Sequence, residues 1–397
     1  MTSFEDYIGS RSTRLTIVGN GFDLAIGAKT KYEDFYECLR VCLDSKSLEE
    51  FKNHYPNSDE RLSDLFYSTV ERNRDNFFIN YFINYASVFG NWVEFEKELT
   101  KIVKSFDNLI SYLNSSDRLL VHATSTGSVK SYVRLFDDMT LLQVLSVYKD
   151  NKFFFTDLSQ YNFRDKGYIL FNLNGKRCNS IYAFYNRVES FSQDFPKELF
   201  KDLTVFSNLF SIYLGIVDHY AQLNRKLKDI TAISIFINYN FTDYLEKITG
   251  ANTSDSKRII NINGVFKNAD NTSVQNIVFG IDSNTQLRNS QFEVFTKRIQ
   301  RSIKGTDINC LGQLLNGRIN EIKVIGHSLS LADYESLGFI FSKADKNRPR
   351  IIIYYFDEDG KIDLIINLKQ ILGRDVFDDY QRQGLLKFVN SKEAWEK

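Results

Sequence analysis

Residues 15–35, LTIVGNGFDLAIGAKTKYEDF, hold the side chains and glycines best suited to chemistry. An apolar run enters Gly19-Asn20-Gly21 and leaves toward a helix-like segment. Glycines let a backbone turn tightly and approach a phosphate, and the first amides of a helix supply positive potential. The dinucleotide fingerprint asks for a third glycine three positions after Gly21, where this chain has Leu24, with Gly27 following later. The spacing fits either a phosphate-binding turn or a tight turn with no ligand. Asn20 fits a ligand contact or an Asx-turn, and Asp23 a ribose contact or a helix cap.

Gly326-His327-Ser328-Leu329-Ser330 resembles an esterase nucleophile elbow, but that motif ends in glycine. Its acid-base histidine follows the nucleophile, whereas His54, His122, His219 and His327 all precede Ser328. Ser328 then reads as a helix N-cap and His327 as a turn residue. Asp307 with Glu321-Ile322-Lys323 offers the acid and E-x-K pattern of a metal nuclease, which chance also supplies in chains of this length. No Cys/His spacing suits zinc, and Asp357-Glu358-Asp359-Gly360 lacks the ladder of a calcium loop, so no metal is expected. In Asn91–Leu99, Trp92, Phe95 and Leu99 form an apolar helical stripe. Glu94 and Glu96 cannot face the same way; Glu96 either points into a pocket or lies on a solvated face, which is the simpler account. Lys297, Arg298, Arg301 and Lys304 share a helix and read as a solvated face, with a phosphate-rich partner as the alternative.

Strands are expected at 15–18, 232–238, 258–262, 277–280, 322–326 and 351–356, where short apolar runs end in Gly, Asn or Asp. Most lack strict alternation, as strands covered on both faces do. Helices are expected at 31–42, 242–248, 291–302 and 331–343. Residues 45–230 read mainly as amphipathic helix, clearest at 76–113 and at 196–227, which opens with Pro196. Residues 152–155 and 168–172 look like a small hairpin. The economical architecture is a Rossmann-like α/β parallel sheet built from 1–44 and 231–397, interrupted by a large helical insertion at 45–230. Ligands of such sheets bind at the carboxyl ends of the strands. Those ends carry Gly19-Asn20-Gly21, Asn238-Tyr239-Asn240, Asn263-Gly264, Gly280-Ile281-Asp282 and Gly326-His327-Ser328.

Composition limits the partners. Lys+Arg and Asp+Glu are 50 each, a net charge of zero, which removes any bulk basic field and makes nucleic acid an unlikely partner. The 43% hydrophobic and 25% charged fractions exclude a disordered or fibrous chain. Only 3 prolines leave long helices uninterrupted, and 34 Phe with 22 Tyr predict an aromatic core. Cys38, Cys42, Cys178 and Cys310 show no paired spacing and read as reduced thiols. The acidic, polar start is unlike a signal peptide, and the most apolar stretch, 206–217, is too short to span a bilayer. A cytoplasmic protein without a membrane partner is expected.

GNGFD at 19–23, followed by Gly27, Thr30, Tyr32, Asp34 and Phe35, resembles the opening signature of the AbiH family of bacteriophage abortive-infection proteins. NWVEFE (91–96), NFTD (240–243), FGID (279–282) and GHSLSLAD (326–333) continue the resemblance in order, while 101–230 adds nothing to it. The resemblance implies an anti-phage effector, and more distantly a sirtuin-like one whose cofactor or substrate is NAD or a related nucleotide. By that similarity Gly19 and Gly21 cradle pyrophosphate, Asn240 and Asp243 line the ribose, and Ser328 and Asp333 close the pocket. Asn20, Asp23, Asn263, Gly264 and Asp282 join this binding set. The sirtuin-like pattern has His-Gly where this chain has Asn263-Gly264, and asparagine cannot serve as a general base. His327 is the nearest replacement. Effectors of this kind respond to a phage trigger the sequence does not reveal, and often form homo-oligomers, for which the aromatic excess offers an interface. A nucleotide sensor without turnover and a metal nuclease are the alternatives.

Overall fold

The computed structural model describes residues 13–85, 92–113, 119–123, 129–134, 154–156, 168–173, 181–228, 234–250, 257–266, 276–306, 311–312, 315 and 319–396. The strands are β1 (Thr13–Val18), β2 (Leu119–Ala123), β3 (Val129–Arg134), β4 (Phe154–Thr156), β5 (Tyr168–Leu173), β6 (Ser234–Asn238), β7 (Lys257–Asn261), β8 (Ile319–Ile325), β9 (Arg350–Tyr355) and β10 (Leu386–Asn390). The helices are α1 (Asn20–Ala25), α2 (Tyr32–Asp44), α3 (Leu48–His54), α4 (Glu60–Arg72), α5 (Phe77–Tyr85), α6 (Trp92–Leu113), α7 (Ile181–Ile216), α8 (Tyr244–Thr249), α9 (Lys297–Lys304), α10 (Tyr334–Asp345), α11 (Glu358–Leu372) and α12 (Arg374–Arg382).

β1 and β6–β10 form one sheet in the order β10-β9-β8-β1-β6-β7, and every neighbouring pair is parallel. The order reverses at β1: the chain passes to β6 and β7 on one side, then returns to β8, β9 and β10 on the other. Val18 is in register with both Asn238 and Ile325, and Asn238 with Asn261, so the carboxyl ends are level. Apolar residues reach both faces. Ile17, Ile237, Ile260, Val324 and Ile353 pack with Leu337, Leu364 and Tyr380 of α10–α12. Val18, Phe236 and Ile259 pack with Phe22, Tyr244 and Trp395. That double coverage explains the missing alternation in the sequence.

Helices α2–α7 share a separate core rich in aromatic rings. Phe206 lies 5.3 Å from both Phe35 and Phe82, and Phe95 lies 5.2 Å from Phe279. Phe279 and Phe295 belong to this core, so the segment before α9 joins the helices to the sheet. One helical stretch, Ser192–Ile216, is apolar and long enough to span a membrane by composition, but 67% of its most apolar window is buried inside the protein.

Several expectations are corrected. Residues 277–280 form no strand: Val278 donates to Asn263 O and Phe279 enters the aromatic core, because an apolar run alone does not select a sheet neighbour. Pro196 lies inside α7 instead of opening a helix. Its intrinsic cost there is about 3 kcal/mol, which the packing of Phe195 and Leu199 offsets. Residues 291–302 split into a 3-10 turn, Ser290–Phe295, and α9. The hairpin is present as β4 against β5, within a four-stranded antiparallel sheet that also holds β2 and β3, which the sequence does not announce. β10, half-exposed at the sheet edge, has no strand signal in the sequence because its polar residues dilute the apolar run. Asp307, Cys178 and Cys310 lie outside the described residues.

Candidate functional site

The turns after β1 and β8 touch through their main chains. Gly21 N donates to Gly326 O at 2.8 Å and Gly19 N to Ile325 O at 3.1 Å. A Cβ on Gly21 would lie 2.8 Å from Gly326 Cα, and one on Gly326, at φ 66°, would lie 2.5 Å from Gly21 C. The glycines are therefore required by the approach of one turn to the other. The amides of Gly19 and Gly21 are engaged within the chain, which corrects the expectation that they await an anion. Asn20 is half-buried, and its Oδ1 accepts from Thr30 Oγ1 at 2.6 Å. Gly264 turns at φ 77° beside Asn276.

Asp23 follows on α1 and is 1% exposed. Asn240 Nδ2 donates to its Oδ1 and Thr242 Oγ1 to its Oδ2, both at 2.7 Å. Burial pushes the acid up to about 7 against the pull of these two bonds. Asn240 and Thr242 leave β6, whose end is tied by Asn238 Nδ2 to Asn261 Oδ1 at 2.9 Å. Asp243 pairs with Lys247 at 2.9 Å.

A second buried group surrounds Lys297. Thr296 caps α9, and Lys297, Gln300 and Arg301 all face inward. Lys297 Nζ lies 2.5 Å from Glu96 Oε1 and 2.8 Å from Asp333 Oδ1. Arg301 Nη2 donates to Asn263 Oδ1 at 2.9 Å and lies 3.8 Å from Asp333. Asn263 Nδ2 donates to Tyr239 O, and the Tyr239 hydroxyl pairs with Ser336. His327 packs its ring edge-on to Tyr239 with centroids 4.3 Å apart. Leu329 N, held at φ 53°, donates to His327 Nδ1 at 2.9 Å. The neutral ring therefore carries its proton on Nε2, which lies 3.6 Å from Asp333 Oδ2.

The charges divide unequally. Burial pushes Glu96 up to about 7, with Lys297 opposing and Asp333 adding to the rise. Burial acts the same way on Asp333, but Lys297, His327 and Arg301 outweigh it and hold the acid well below the usual carboxylate range. Lys297 is raised: burial works against its charge, and the two carboxylates overcome that. Two carboxyls of different proton affinity thus share one ammonium. Two buried polar atoms here, Asn240 Oδ1 and Arg301 Nε, have no hydrogen-bond partner among the described residues.

Sequence reasoning missed the main feature. Lys297 and Arg301, expected on a solvated face, are buried, and Glu96, for which a solvated face is the simpler account, reaches Lys297. Their four-residue spacing places both cations on one helix face, and nothing local says whether that face meets water. Asp282 is half-buried near Lys297, and burial raises it against that charge. Ser328 is exposed, and its carbonyl accepts from Asn367. Leu329, not Ser328, holds the positive φ that an elbow gives its nucleophile. Glu321 is paired in register with Arg14 at the amino end of β8, away from this edge. No cluster of metal-ligating side chains occurs among the described residues.

These elements define an α/β protein with a six-stranded parallel sheet and a buried charged group at its carboxyl edge. The chain belongs to the AbiH family: residues 15–355 match the family described as bacteriophage abortive infection AbiH, so its role is in abortive-infection defence. No curated protein and no solved structure matches it. The five resembling motifs all fall within that span, and each supplies a side chain to this one edge: Asp23, Glu96, Asn240 and Thr242, Asp282, then His327 and Asp333.

Proposed function

We propose that the chain binds a nucleotide at the carboxyl edge of its parallel sheet during abortive infection, with NAD as the specific ligand, and hydrolyses the nicotinamide–ribose bond. The strand order, counted along the sheet's own six strands, is 3-2-1-4-5-6, that of Rossmann-like dinucleotide-binding folds, whose ligands lie where the order reverses. A sirtuin-like reading agrees with this. The observation that carries the proposal is Lys297 held between Glu96 and Asp333, because a buried ion pair is a poor source of stability, and two acids of unequal proton affinity side by side are what acid–base chemistry needs.

Hydrolysis breaks the C1′–N bond, and the bonding pair leaves with nicotinamide, neutralising its ring. The ribose gains oxocarbenium character, which an ionised carboxylate such as Asp333 stabilises. Water then adds at C1′ and gives a proton to a base; Glu96, with a proton affinity near neutrality, suits that role. His327 holds Asp333 from the other side. Asn263 takes no proton, since its amide joins Arg301 to Tyr239.

That pairing also favours the second reading, a nucleotide sensor without turnover. Purified protein incubated with NAD between pH 6 and 9 decides between them. Nicotinamide release that Glu96→Gln and Asp333→Asn each lower at least tenfold supports hydrolysis. Calorimetric binding of NAD without release supports the sensor. Neither binding nor release overturns both.

A further inference from the structure

Asp23 is buried, and both of its oxygens are occupied, by Asn240 Nδ2 and by Thr242 Oγ1. An ionised carboxylate only accepts hydrogen bonds, so Asn240 must turn its NH₂ toward Asp23. The other atom of that amide, Oδ1, is then buried with no partner among the described residues. A buried acceptor left unpaired has given up its water and gained nothing in exchange, so it is costly unless a ligand supplies the donor. Flipping the amide would not relieve it, because Oδ1 would then meet the Asp23 oxygen. The backbone is fixed as well: Asn240 N donates to Asn238 Oδ1 at 3.1 Å, and Asn238 Nδ2 donates to Thr242 O at 3.2 Å. Asp243 adds repulsion that favours the protonated acid; it is itself paired with Lys247, and Tyr244 also lies in the field of Asp23.

We propose that Asp23 is a positioning residue: it locks the Asn240 amide so that Oδ1 is presented to the ligand as an acceptor for an O–H or N–H donor. This rests on the nucleotide reading above, and NAD offers such donors in its ribose hydroxyls, its carboxamide and its adenine amino group. The role belongs to the ionised acid. Once protonated, Asp23 donates as well as accepts, and the amide is free to turn.

Two measurements on the full chain test this. In protein labelled with ¹⁵N-asparagine, the Asn240 side-chain amide signal, identified by its loss in Asn240→Ala, shifts between pH 5 and 9, and Asp23→Asn abolishes the shift. A signal that does not move with pH overturns the lock. Calorimetry with NAD and with ADP-ribose, which lacks the carboxamide, then gives about tenfold or greater loss for Asn240→Ala. Asp23→Asn gives a similar loss, and the double variant loses no more than the larger single. Loss with both ligands assigns the donor to the ADP-ribose part, a ribose hydroxyl or the adenine amino group; loss with NAD alone assigns it to the carboxamide. Additive losses, or undiminished binding by Asn240→Ala, overturn the positioning role while leaving the nucleotide reading intact. Absence of binding by the unsubstituted protein removes the ligand and that reading together, and the amide signal still decides the lock.

Discussion

Glu96 Oε1 on α6 lies 2.5 Å from Lys297 Nζ on α9. That ion pair ties the helical region to the carboxyl edge of the sheet, because Lys297 also holds Asp333 from the turn after β8. A carboxylate from one core and a carboxylate from the other meet on one buried ammonium.

Replacing Lys297 by methionine removes the charge that both acids share. A buried ion pair stripped of one partner typically costs about 3–5 kcal/mol. Lys297→Met is expected to fall in that range by urea denaturation, and adding Asp333→Asn restores part of the loss. A single variant as stable as the parent protein contradicts the electrostatic account.

Stability depends on pH through acids that bind protons more tightly when folded. Burial pushes Asp23 up from its ordinary 3.8 and Glu96 up from 4.5, each to about 7. Between these values the folded state keeps protons that the unfolded chain has released, so unfolding free energy falls as pH rises toward 7. For Asp23 the full effect is on the order of 4 kcal/mol. Asp333 is lowered and acts oppositely, losing its contribution only in acid. Denaturation midpoints from pH 4 to 8 measure the slope, and Asp23→Asn flattens it.

The contact between the two glycine turns leaves no room for a methyl group. Gly326→Ala must part the turns after β1 and β8, and is expected to cost several kcal/mol or prevent folding. Gly384, at φ 67° with nothing within 4 Å of an added Cβ, is the control. Its alanine variant bears only the backbone strain, about 1 kcal/mol. Thermal melts of both variants separate crowding from strain.

Phe206 stands among Phe35, Phe78, Phe82, Phe95 and Phe279. Phe206→Ala is expected to destabilise by about 3–5 kcal/mol, and Phe206→Leu by less, in equilibrium unfolding. Equal losses would mean that the cluster relaxes around the gap.

Much of the sheet was legible in the chain. Runs such as Leu15–Val18 and Ile351–Ile353 are buried, so their apolar character is continuous. The motifs at 19–23, 240–243 and 326–333 mark strand ends because turns demand glycine, asparagine or serine whatever the rest of the fold does. Other features carried no local sign. Whether Lys297 and Arg301 face water, whether Glu96 meets a cation, and whether the amides of Gly19 and Gly21 stay open depend on groups far away in sequence. Periodicity records which residues share a face. The charge opposite that face, and hence the proton affinity of an acid upon it, exists only once helices and sheet have packed and water has left.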